Sequence, residues 1–145
     1  MQKTYNSRLL GRPALDLARV LLMHRELASR LALQTILQAG GYAVDVAGTP
    51  AEAINKLDEA QYELVLSDSD FGSEMSGRSV LAYARVKDYH PATALVTSYE
   101  DGAHRPHGGQ QVSICTENLA TLLAEVAELI GVRASRRHRV LRQAV

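Results

Sequence analysis

Apolar residues in this chain fall into short continuous runs separated by stretches of helical periodicity, the pattern of strands buried on both faces alternating with amphipathic helices. Val20, Leu21, Leu22 and Met23 form the first run and predict a strand. Residues 26–39 follow as a helix, with Leu33, Ile36 and Leu37 at i, i+3, i+4 spacing and Gly40 and Gly41 placed to end it in a left-handed turn. A second strand is expected over 42–46. Thr49, Pro50 and Glu52 then open a helix to about residue 60: hydroxyl cap, proline at the first helical position, and a carboxylate reaching back to the cap amide. Leu64, Val65 and Leu66 make a third strand that stops at the polar stretch 67–72. Ser76 or Gly77 begins a helix to Tyr89, closed by His90 and Pro91, and Ala94, Leu95 and Val96 give a fourth strand ending at Thr97 and Ser98. Residues 99–110, with three Gly, one Pro and two His, predict a loop. A short fifth strand over 112–115 leads to a helix opened by Thr116 and Glu117. Its stripe is Leu119, Leu122, Leu123, Val126, Leu129 and Ile130, and it is expected to end at Gly131.

Regular alternation of strand and helix implies a parallel sheet covered by helices on both faces, with right-handed crossovers. In such sheets chemistry gathers beyond the carboxyl ends of the central strands, near the point where the strand order reverses. Those ends are His24 and Arg25 after strand 1, Asp68 to Asp70 after strand 3, Thr97 and Ser98 after strand 4, and Cys115 after strand 5. Residues 1–17 mix polar groups with Gly11 and Pro13 without a period and read as a leader. Residues 18–131 form the domain, and 132–145 a basic tail that either frays or extends the last helix.

Composition narrows the function classes. A length of 145 residues, 46% of them hydrophobic and 22% charged, suits one globular domain with little room for a second. Lys and Arg equal Asp and Glu at 16 each, so there is no global field to draw the molecule to nucleic acid or anionic lipid. Arg133, Arg136, Arg137, Arg139 and Arg142 make the tail a local exception, the one place where nucleic-acid binding is to be looked for. A lone cysteine, no apolar segment long enough to span a membrane and no secretory signal point to the cytoplasm and to no membrane partner.

The stretches "ARVLLMHRE", "LQAGGYAVDVAGTPAEAINKL", "YELVLSDSDFGSEMSGRSVLAYAR" and "ALVTSYED" carry a resemblance. From about residue 19 to 131 the chain looks like a response-regulator receiver domain of bacterial two-component signalling. That resemblance implies a flavodoxin-like, doubly wound five-stranded sheet in the order 2-1-3-4-5, with the fourth helix shortened or lost here. It also implies a histidine kinase or another signalling protein as partner. By position Asp68 resembles the phosphoacceptor, and Thr97 the hydroxyl that hydrogen-bonds the phosphoryl oxygens. Two positions depart from the family pattern. Its acidic pair after strand 1, which holds Mg²⁺, is His24 and Arg25 here, with Glu26 one place later. Its strand-5 lysine and proline are Cys115 and Thr116.

Phosphoryl transfer to a carboxylate relies on a cation bridging the oxygens, and Mg²⁺ needs carboxylates to hold it. With Asp68 assured and only Asp70 or Glu26 to add, the expectation is no cofactor or weakly bound Mg²⁺. An Arg25 guanidinium about 4 Å from Asp68 would contribute roughly 4 kcal/mol of attraction at an effective dielectric near 20, before desolvation. The expected function is therefore a receiver-like module working by protein contact, with phosphorylation of Asp68 weakened or lost. The nearest alternative is a receiver that still accepts phosphate.

A rival from another class is a phosphatase of the haloacid-dehalogenase type, whose paired aspartates "LVLSDSDFG" resembles, with Asp68 as nucleophile and Asp70 as general acid. That family's later lysine and acidic pair have no counterpart beyond Glu100 and Asp101. Serine-hydrolase chemistry lacks its nucleophile-elbow spacing. As simpler readings, Asp68 is a strand-end turn residue, His24 a hydrogen-bonded loop histidine, Cys115 inert packing, and the edge of the last helix's stripe a homodimer contact.

Overall fold

The structure is a computed structural model that describes residues 17–68, 77–97 and 112–144, with side chains as far as residue 136. Its five strands are β1 (Arg19–Met23), β2 (Ala43–Ala47), β3 (Leu64–Asp68), β4 (Ala92–Thr97) and β5 (Ser113–Cys115). Four helices are described: α1 (Leu27–Ala39), α2 (Pro50–Glu59), α3 (Gly77–Arg85) and α4 (Leu119–Ala144). Every pairing is parallel, as the alternation of elements predicts, and the strand order is β2-β1-β3-β4-β5, the doubly wound order that the resemblance implied. The crossover in which a shortened or lost fourth helix was expected, residues 98–111, lies outside the described residues, as does the leader over 1–16.

Alternate side chains of each strand feed two cores. Val20, Leu22, Leu64, Leu66, Ala94, Val96 and Ile114 meet Leu33 and Leu37 of α1 and Leu122 and Val126 of α4. On the opposite face Leu21, Met23, Val65 and Leu95 meet Ala53 and Leu57 of α2 and Val80, Leu81 and Ala84 of α3. The central strands β1 and β3 are thus buried on both sides, the physical reason their sequences are unbroken apolar runs.

The helix termini follow the sequence with corrections of detail. Gly41 takes the left-handed conformation (φ 102°) after α1, whereas Gly40 stays right-handed. Thr49 caps α2 by accepting the Glu52 N–H at 3.2 Å, but the Glu52 carboxylate accepts the Gly48 N–H at 2.7 Å and not that of the cap residue. α3 stops at Arg85, four residues short of Tyr89. Pro91 bars His90 from the helical region, and the chain instead tightens through short-range turns to a left-handed His90 (φ 48°). α4 begins one turn later than Thr116, because Asn118 Oδ1 accepts the Thr121 N–H at 3.2 Å and serves as the cap. At its far end α4 does not stop at Gly131 but runs on to Ala144. Glycine costs a helix only about 1 kcal/mol, and beyond its neighbours Ile130 and Val132 stand the good helix formers Ala127, Glu128 and Leu129 on one side and Arg133 and Ala134 on the other.

Candidate functional site

The strand order reverses between β1 and β3, so the carboxyl ends of these two strands open the crevice in which an α/β sheet places its chemistry. Asp68 is the last residue of β3 and is 7% exposed, one of two buried polar residues among those described. The other, Ser67, turns its hydroxyl onto the Asp68 carbonyl at 3.1 Å. α3 starts directly on this carbonyl. A β-carbon on Gly77 would lie 1.8 Å from the Asp68 carbonyl oxygen, so only glycine lets the helix approach the strand end this closely.

The Asp68 carboxylate is held from the β1 side. Its Oδ2 accepts the main-chain N–H of Arg25 at 3.1 Å and lies 3.8 Å from His24 Nδ1. The sequence assigned the counter-charge to the Arg25 guanidinium. Arg25 meets Asp68 through its backbone donor, and the side chain at ion-pair distance is the His24 imidazole. His24 Nδ1 accepts the Glu26 N–H at 3.2 Å, so the neutral ring carries its proton on Nε2. Arg30, which the sequence reading passed over, fixes this corner by donating to the His24 carbonyl at 2.8 Å. Its signal was available only as a basic residue one helical turn into α1. The second oxygen, Asp68 Oδ1, is buried and has no hydrogen-bond partner among the described residues.

Thr97 ends β4 beside this crevice, and in the β4–β5 register it faces Cys115. Thr116 locks the two strand ends together. Its N–H (2.8 Å) and its hydroxyl (2.9 Å) both donate to the Thr97 carbonyl. The sequence marked Thr116 only as a helix start and as the replacement for a proline. Cys115 is a free, half-buried thiol where a lysine was looked for. A cleft of about 140 Å³ runs between α1 and these strand ends, lined by His24, Ser29, Thr97 and Thr116 over an apolar floor of Leu33, Ile36 and Val96.

Among the described residues the donor set does not fit Mg²⁺. Glu26 accepts the Ser29 hydroxyl, and among the described residues no group of three or more His, Cys, Asp or Glu side chains stands ready to hold a metal. What the described residues of the crevice offer is one carboxylate faced by an imidazole and an amide, whereas Mg²⁺ requires an octahedron of oxygens. Asp70, the other carboxylate named from the sequence, lies outside the described residues, as do Ser98, Glu100 and Asp101.

No protein-family model matches the sequence, and no curated protein matches it. Solved structures do resemble the fold. The signal receiver domain of an HD domain-containing protein from Pseudomonas fluorescens aligns with a TM-score of 0.73 at 20% identity, covering 86% of this chain and 94% of that one. A CheY-like response regulator receiver domain from Methanospirillum hungatei gives 0.70 at 23% identity, over 83% and 98%. The response regulator TrrA of Thermotoga maritima, solved in complex with Mg²⁺ and BeF, gives 0.66 at 27% identity over 77% and 98%. TrrA also resembles this chain in its complex with the histidine kinase ThkA, with a TM-score of 0.65. These likenesses establish a CheY-like, flavodoxin-type architecture.

Proposed function

We propose that the protein is a receiver-like signalling module of a two-component phosphorelay, acting by protein contact, in which phosphorylation of Asp68 is weakened or lost. The observation that carries this reading is the composition of the crevice at the ends of β1 and β3. A buried aspartate occupies the central strand end, and the neighbouring strand supplies an imidazole, a guanidinium-bearing residue and an amide in place of carboxylates. Attack by a carboxylate on a phosphoryl group brings two negative charges together, which a bridging cation must offset. Here the contacts to Asp68 from the β1 side are the Arg25 main-chain N–H and, at 3.8 Å, the His24 ring, and neither can bridge the carboxylate to an incoming phosphate as a divalent cation would. Cys115 adds no cation on the β5 side. A histidine kinase is the proposed class of partner, supported by the likeness to TrrA, whose structure with a histidine kinase is known.

One observation favours the second reading, a receiver that still accepts phosphate: among the described residues no hydrogen-bond donor engages Asp68 Oδ1. Incubation with a small-molecule phosphodonor and Mg²⁺, followed by intact-protein mass measurement, separates the two. The expected result is unmodified protein. One phosphate per chain, abolished by Asp68→Asn, would establish the second reading and end the first.

A further inference from the structure

The long helix α4 does two different things along its length. Its first half covers the sheet through Leu122 and Val126, with Leu123, Leu129 and Ile130 against the same core. Arg133 then fastens it to the amino-terminal side of β4, donating to the carbonyls of Tyr89 at 2.8 Å and His90 at 2.9 Å. Past this clamp the helix continues to Ala144, which at 1.5 Å per residue is about 16 Å of further helix.

Charge is divided at the same place. Residues 132–145 hold five arginines and no acidic residue, so in a chain of zero net charge the remainder carries −5. Glu117, Glu125 and Glu128 all precede Gly131. The fold therefore mounts a basic rod on an acidic body, directed away from the Asp68 crevice, because α4 leaves β5 at the carboxyl ends of the strands and runs back past their amino ends.

From this arrangement we infer that the distal part of α4, carrying Arg136, Arg137, Arg139 and Arg142, docks on the phosphate backbone of double-stranded nucleic acid. The complementary charge is anionic, and four physical arguments select this source of it. At 100° per residue the positions of these four arginines and Arg133 sweep about 220° of the helix circumference, and the remaining arc holds Ala134, His138 and Leu141. A helix seated in a membrane surface needs a broad apolar face with large or aromatic residues, which that arc does not provide. Close packing against the same helix of a second copy would set arginine against arginine. Single-stranded nucleic acid is bound through aromatic stacking, and residues 132–145 contain no aromatic. A lone α-helix is of a size that the major groove of a duplex admits, flanked on both sides by phosphates.

The test is fluorescence anisotropy with the full chain and a labelled duplex DNA of about 20 base pairs. If about four phosphates are neutralised, affinity falls roughly 100-fold between 50 and 200 mM salt. The fourfold variant Arg136→Gln, Arg137→Gln, Arg139→Gln, Arg142→Gln is expected to bind at least tenfold more weakly at 50 mM salt. The corresponding fourfold Lys variant is expected to stay within threefold of the parent, so a helix lost in the Gln variant does not obscure the outcome. Absence of binding at 50 mM salt, equal binding by the Gln variant, or capture by vesicles containing phosphatidylserine without capture of DNA would each overturn the proposal. None of these readouts depends on whether Asp68 accepts phosphate.

Discussion

At the scale of single residues, the proposed function turns on two adjacent side chains. His24 and Arg25 stand where an acidic pair would hold a divalent cation, and their backbone is already aimed at Asp68 through the 3.1 Å amide contact. Exchanging their charge should therefore restore a metal site without moving the main chain. The double variant H24D/R25D is expected to bind Mg²⁺ more tightly than the parent, measured by calorimetry, and, on the proposed reading, to take up more phosphate from a small donor than the parent does. A variant that stays folded and binds no Mg²⁺ would show that the charges at this corner are not what governs metal binding. The strand-end positions of Asp68, Thr97 and Cys115 were legible because strand ends are visible as the limits of apolar runs. Arg30 and Thr116 were not. Their roles rest on carbonyls brought near by the fold, and a carbonyl leaves no mark in a sequence.

Among the elements, α4 shows how far a stop signal can be overridden. Gly131 sits inside this helix, and a β-carbon there would meet nothing within 4 Å. Gly131→Ala removes only the entropic cost of glycine and is expected to stabilise the protein by about 0.5–1 kcal/mol, seen as a rise in the thermal midpoint. A fall would show that the helix bends or breaks at this point in solution. Helices α2 and α3 are tied by a surface triad in which Tyr83 and Lys87 both donate to Asp58 Oδ1 at 2.7 Å. Those two hydrogen bonds hold the Asp58 carboxyl below the usual carboxylate range. A carboxylate whose folded pKa is depressed contributes stability above its unfolded pKa and loses it as pH falls through the folded value. Asp58→Asn should therefore lower the thermal midpoint at pH 7 and have a smaller effect at pH 3. An equal effect at both values would show that the ionised form is not what the triad stabilises. Thr49 and its proline were readable as a helix start because capping is local chemistry. The early end of α3 was not, since the N–H groups of Val86, Lys87 and His90 turn back onto the carbonyls of Tyr83, Ala84 and Lys87, a tightening that no residue type marks in the sequence.

For the molecule as a whole, the strand order was readable from the alternation of elements and from the resemblance together, and the two cores follow from the period-two burial of β1 and β3. The charge division between body and rod was only half visible. Five arginines stood out in the sequence, but whether they hung loose or rode on a rigid helix depended on the clamp at Tyr89 and His90. One further property comes from the outermost strands. β5 has three residues, and β2 carries Asp45 at its midpoint, bound by Tyr62 at 2.7 Å and Arg19 at 2.8 Å. A brief margin on one side and an inserted charge on the other are poor templates for another chain's backbone. Neighbours must therefore meet this protein through helix surfaces and loops, which keeps recognition a matter of side-chain identity and guards the sheet against runaway lateral growth.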